Sequence, residues 1–176
     1  MRKKITLRSI KDARTRKAAL AVSADQTKSR LMTLLERMEP MELLKEIKFG
    51  KAGFDPLDAD RDLNLIEQLN QTFTYLASFD AAIHVFREHP EITQLTLNLG
   101  TQSGSDIESD AAGGIAAEVF AAVTPTNNEK LKKDLAKVSK TNVKHKYVFF
   151  ACPGYGTGPQ SRDPEFPDVQ IISLGI

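Results

Sequence analysis

The spacing of apolar residues changes abruptly at Pro90, and that change restricts the fold more than any other feature. Over residues 63–89, Ile66, Leu69, Phe73, Leu76 and Ile83 recur at steps of three, four and seven, which predicts one amphipathic helix. Pro90 marks its end, because the residue before a proline is driven out of the helical region. Leu95, Leu97 and Leu99 then alternate with Thr96 and Asn98, the period of a half-buried strand. A chain that moves from a period of 3.6 to a period of 2 must pack helices against a sheet.

The same rhythm continues downstream. A polar turn at 100–105 leads into a short strand at 106–109, and Gly113-Gly114 makes a second turn before an apolar strand at 115–123. Thr126-x-x-Glu129 has the form of a capping box opening a helix over 128–140. That helix carries Leu131, Leu135 and Val138 on its apolar face, with Lys130, Lys133, Lys137 and Lys140 on another. Tyr147 to Cys152 reads as an aromatic strand, 153–167 as a Gly/Pro-rich loop, and 169–174 as a last strand. The order is helix, three strands, helix, two strands, an α/β core over 62–176. Ahead of it, 1–24 reads as a partly ordered arm, 29–38 and 41–47 as short helices separated by Pro40, and 49–61 as a linker. Residues 1–61 therefore form a helical N-terminal extension.

Charge separates these two parts. Residues 1–51 hold 14 Lys/Arg against 6 Asp/Glu, whereas the remainder holds 10 against 17. A basic arm or face of this kind suits a phosphate backbone. An amphipathic hairpin with a solvated basic face accounts for the same asymmetry. No apolar run approaches the roughly 20 residues of a membrane span, and the basic start lacks the apolar segment of a signal peptide, so a cytoplasmic protein is expected. Cys152 is the only cysteine, which excludes an internal disulfide and a cysteine zinc site.

Two acids then stand out. Asp106, in Gly-Ser-Asp-Ile-Glu-Ser, and Glu118, in Ala-Ala-Glu-Val-Phe-Ala, fall on successive strands. Alternation puts Glu118 with Phe120 and Ala122 on one face, and Asp106 with Glu108 on one face. Pairing Asp106 beside Glu118 would gather two or three carboxylates, with Glu108 assisting. Such oxygen ligands suit Mg²⁺ or Mn²⁺, and a hard cation there can activate water and neutralise charge on a phosphate. Glu118 sits in an apolar stretch where an unpaired carboxylate is costly, so it needs a metal, a basic partner or the sheet rim.

This arrangement resembles the PD-(D/E)XK nuclease superfamily, the restriction-endonuclease-like fold, over about residues 62–152. The resemblance implies a core of helix, three-strand meander, helix and strand, with Asp on the second strand and Glu-x-Lys on the third. It implies that Asp106 and Glu118 bind metal, joined by the carbonyl of Val119, and that the protein is a Mg²⁺-dependent nuclease acting on DNA. It further implies a homodimer, and no membrane partner. Phe120 occupies the place of the family's lysine. Members of the family supply that lysine from a neighbouring element, which points to Lys130 or Lys133 on the following helix. The alternative is a catalytically inactive module of the same fold that binds nucleic acid or a protein. Under a third reading, a metal-free interaction domain, Glu118 pairs with a Lys or Arg instead of facing Asp106. Glu67 on the long helix is another position at which such nucleases can carry an acid, although it lies nearly opposite the apolar stripe. His84, His89 and His145 lack local metal-ligand spacing, and His145 reads as a surface residue.

Overall fold

The computed structural model describes residues 2–100, 103–109 and 114–175. It is a mixed α/β protein whose chain divides into two compact units, one made of residues 1–14 and 77–176 and the other of residues 15–76. Gly113, half of the expected second turn, lies outside the described residues. Gly114 beside it has φ +69, a conformation that favours glycine.

The first residues are ordered, contrary to the expected arm. β1 (Arg2–Leu7) pairs antiparallel with β4 (Leu95–Gly100), setting Ile5 opposite Leu97 and Leu7 opposite Leu95. Burial of Leu7 at the end of β1 explains why this basic stretch is held. α1 (Ile10–Arg37) follows at once. Its start is a reciprocal cap: Asp12 N–H donates to Ser9 Oγ at 3.1 Å and Arg8 N–H donates to Asp12 Oδ2 at 3.1 Å. α2 (Pro40–Phe49) begins on Pro40, where a missing N–H costs nothing.

In the 15–76 unit, the expected linker is a hairpin of β2 (Gly53–Asp55) and β3 (Asp58–Leu63). Gln68, on α3 (Leu65–Glu88), ties the unit together. Its Oε1 accepts from Thr27 Oγ1 at 2.6 Å and from Phe54 N–H at 2.9 Å, and its Nε2 donates to Ser23 O at 3.3 Å. Arg30 lies 3.7 Å above the Phe54 ring and pairs with Asp62 at 2.7 Å. Because a hydrogen-bonded glutamine turns inward here, the first half of the apolar stripe turns outward. Ile66, Leu69 and Phe73 are 44–46% exposed. Of the later stripe residues Leu76 is half-buried and Ile83 is buried, and the helix also buries Phe79, Ala82, Val85 and Phe86, which the stripe did not include.

The sheet runs β1-β4-β5-β6-β7-β9-β8. β5 (Ile107–Ser109) and β6 (Ile115–Ala121) continue the antiparallel meander from β4. α4 (Lys130–Ser139) then carries the chain to β7 (His145–Ala151), which lies parallel to β6. β9 (Val169–Ser173) adds in parallel beside β7, and the two-residue β8 (Gly158–Pro159) closes that edge. Parity assigns the faces. Leu97, Ile107, Ala117, Tyr147 and Phe149 share one, where His84 of α3 meets the rings of Tyr147 and Phe149 edge-on. On the other, Ala116, Phe120, Val148, Phe150 and Ile171 pack with Leu135 and Val138 of α4. No helix among the described residues is long and apolar enough to cross a membrane.

The expected capping box at Thr126 does not form. Thr126 makes no side-chain cap bond, and Asn128 and Glu129 both adopt left-handed φ, at 52° and 56°. The chain enters α4 through a kinked turn over Asn127–Glu129.

Candidate functional site

Register places the two acids. Ile107 faces Ala117 and Glu108 faces Ala116 across β5 and β6, so one further step sets Asp106 opposite Glu118. The loop before Asp106 is fixed from three sides. Asn98 N–H donates to Asp106 O at 2.8 Å, Asn98 Nδ2 donates to Ser105 O at 2.8 Å, and Ser105 N–H donates to Glu108 Oε1 at 2.7 Å. Glu108 is thereby engaged in shaping the loop. Asp106 Oδ2 in turn accepts from Val119 N–H at 2.8 Å, anchoring its carboxylate against β6.

Glu118 belongs to the face that α4 covers and is 2% exposed. Its Oε2 accepts from Lys137 Nζ at 2.7 Å. Its Oε1 is buried with no hydrogen-bond partner among the described residues. One turn back along α4, the buried Asp134 accepts from Lys130 Nζ at 2.7 Å through Oδ1, while its Oδ2 likewise has no partner among the described residues. Lys130 also lies 5.8 Å from the centroid of the Phe120 ring. Phe120 itself stacks on Phe150 at 6.0 Å and is 4% exposed, a core residue through and through.

Three carboxylates therefore share their surroundings with two ammonium groups, one charge short of balance when all are ionised. Burial and the neighbouring Asp106 push Glu118 up to about 7 from an ordinary 4.5, against the opposing pull of Lys137. Burial raises Asp106 and Asp134 as well. Lys137 is shifted upward, because the Glu118, Asp106 and Asp134 carboxylates outweigh its own desolvation, and it stays charged at neutral pH. The donors are hard oxygens, one of Glu118's is unsatisfied, and the cluster lacks positive charge. The acids do not, however, bring three ligand atoms within 4.8 Å of one another.

The other positions named from sequence make different contacts. Lys133 donates to Asn128 O at 2.8 Å and pairs with Glu129 at 3.9 Å, on the kinked turn. Glu67 is exposed and accepts from Gln71. Cys152 is fully buried, and burial pushes its thiol up. Sequence reasoning did not single out Lys137 or Asp134. It also set aside His89, which is buried with its ring tilted against that of His145 at 4.2 Å, and it placed His145 on the surface, whereas that residue is half-buried. Comparison with protein-family models, curated proteins and solved structures finds no match to this chain.

Proposed function

We propose that the protein is a divalent-metal-dependent phosphodiester hydrolase acting on DNA, with a restriction-endonuclease-like core in which the missing lysine is supplied by Lys137. The observation that carries this reading is the approach of Lys137 to Glu118 beside Asp106. The element order from α3 to β7 supports it, since an antiparallel meander, a helix and a parallel strand are the core that the resemblance implies.

Asp106 and Glu118 would hold the metal, Mg²⁺ or Mn²⁺. When bound, the ion supplies Lewis acidity and lowers the pKa of a coordinated water. Val119 N–H keeps Asp106 Oδ2 in place, so one oxygen of that carboxylate remains for the ion. Glu118, titrating near neutrality, sheds its proton when a cation compensates its charge. Lys137 is a cation at working pH, so its role is to donate hydrogen bonds and offset charge on the phosphate; it is not a base. Its half-exposed side chain opens the cluster to solvent. Next to the acids, Thr96, Lys4 and Thr6 on β4 and β1 continue the same face as a polar, accessible surface along which a backbone could run. The exposed Met32, Leu35, Ile66, Leu69 and Phe73 offer apolar surface for self-association, which many enzymes of this fold use to cut both strands.

The Glu118–Lys137 pair is also what a metal-free interaction domain would contain, and an inactive binding module would keep the same acids. Plasmid cleavage with Mg²⁺ or Mn²⁺, read beside calorimetric titration of the same ions, separates these readings. Wild-type protein should bind Mn²⁺ and cut, whereas Asp106→Ala and Glu118→Ala should do neither while keeping native circular dichroism. Binding without cleavage leaves the inactive module. Cleavage retained in both variants refutes the site.

A further inference from the structure

On the face of the sheet turned away from α4, a second group of ligating side chains meets at the start of β7. His89 directly follows α3, Glu91 lies in the turn after Pro90, and His145 opens β7. Among the described residues, this is the one set of three His, Cys, Asp or Glu whose ligand atoms all lie within 4.8 Å of one another. The backbone that presents them is fixed. His89 N–H donates to Val85 O at 2.9 Å, Ile92 N–H donates to His89 O at 3.0 Å, and His145 N–H donates to Gly114 O at 3.3 Å.

The two ring nitrogens of His89 have different surroundings. Nε2 lies 2.7 Å from the Tyr147 hydroxyl, and Nδ1 lies 3.4 Å from Glu91 Oε1. With its proton on Nε2, held by Tyr147, the ring turns the Nδ1 lone pair toward a carboxylate. That is an arrangement a cation completes, and it is how metal-bound imidazoles are oriented by a partner behind them. The His145 ring lies 4.2 Å from that of His89.

We propose that His89, Glu91 and His145 form a binding site for one divalent transition-metal ion of the Zn²⁺ class, joining the end of α3 to the first residue of β7. Two borderline imidazole nitrogens beside one hard carboxylate prefer Zn²⁺ or Co²⁺ to Mg²⁺. They leave a fourth position open to water or to an incoming ligand. The site is independent of the acid cluster, since Tyr147 and Val148 point to opposite faces of β7 and the acids lie on the Val148 side.

Chelator-treated protein titrated with Co²⁺, followed by its visible absorption and then by Zn²⁺ competition, tests this. The titration is run in the Asp106→Asn/Glu118→Gln double variant as well as in the wild type. Equimolar Co²⁺ binding with a tetrahedral spectrum is expected in both. Tyr147→Phe should weaken it by about ten- to a hundredfold as an outer partner, and Glu91→Gln and His145→Gln by more. Glu91 is exposed, so its variant tests ligation without disturbing the core. The proposal is overturned by absence of the spectrum in wild-type protein, by its loss in the double variant, or by wild-type affinity in both Glu91→Gln and His145→Gln.

Discussion

Glu118→Gln should make the sheet-bearing unit more stable relative to wild type as pH rises. In the folded chain Glu118 titrates at about 7, against 4.5 for an ordinary glutamate. The folded state thus holds this proton more tightly than the unfolded chain does. The stability that the protonated group contributes is complete below about pH 4.5, declines as pH climbs, and is gone above about 7. The interval of 2.5 pH units between those two values, at about 1.4 kcal/mol each, gives about 3 kcal/mol. Glutamine has no such proton, so the stability difference between variant and wild type should grow by about 3 kcal/mol across that window. For a chain of this length that is a relative gain of roughly 6–12 °C in Tm. Urea unfolding followed at the β6 and β7 amides, in chelator and at a series of pH values, measures the difference in the relevant unit. Saturating Mn²⁺ should stabilise wild type most at high pH and leave the variant almost unmoved. A difference that stays flat with pH, or that grows in favour of wild type, would show that Glu118 is already comfortable as an anion beside Lys137. The argument for an unmet positive charge would then fail.

Other consequences are open to simpler assays. If the hydrolase reading holds, Lys137→Met should lower kcat by about 10²–10³ in a steady-state cleavage assay, whereas Lys133→Met, on the kinked turn, should leave it unchanged. Phe149→Ala removes a fully buried ring that stacks on Tyr147 at 5.3 Å and meets His84 edge-on, and denaturant titration should show a loss of about 3–5 kcal/mol. Gly114→Ala places a methyl at φ +69, with Val143 Cγ1 at 3.0 Å and Ser109 O at 3.3 Å. It should cost roughly 1–2 kcal/mol in the same titration.

The α/β core was legible because its elements carry clean periods. Leu95, Leu97 and Leu99 are all buried on one face, as alternation demanded, and the order of elements from the long helix to the last strand differs from the reading only by the two-residue β8 inside the expected loop at 153–167. The first 60 residues were harder, since β1 gains its order from pairing with β4, some 90 positions away, and no local pattern reports that. The stripe on α3 misled because hydrophobicity alone cannot foresee that Gln68, satisfied by three hydrogen bonds, displaces Ile66 and Leu69 from the interior. Lys137 was within reach of arithmetic. Glu118 lies three residues before the end of β6, about 10 Å of strand. A helix returning from that end at about 1.5 Å per residue needs about seven positions to cover the same distance, and seven beyond Lys130 is Lys137. The histidine pair could not be found this way, for its members come together only through the docking of α3 near the start of β7.

Because the ammonium reaches Glu118 from a helix, its position depends on how Leu135 and Val138 seat against Phe120 and Val148. A lysine two residues along the strand would be locked by the ladder and could leave only by unzipping it. Here a shift of α4 across its apolar bed would move the charge without breaking a strand pairing. The acids and their cation partner are thus mechanically separable, and a binder that wedges under α4 would disarm the cluster without unfolding anything.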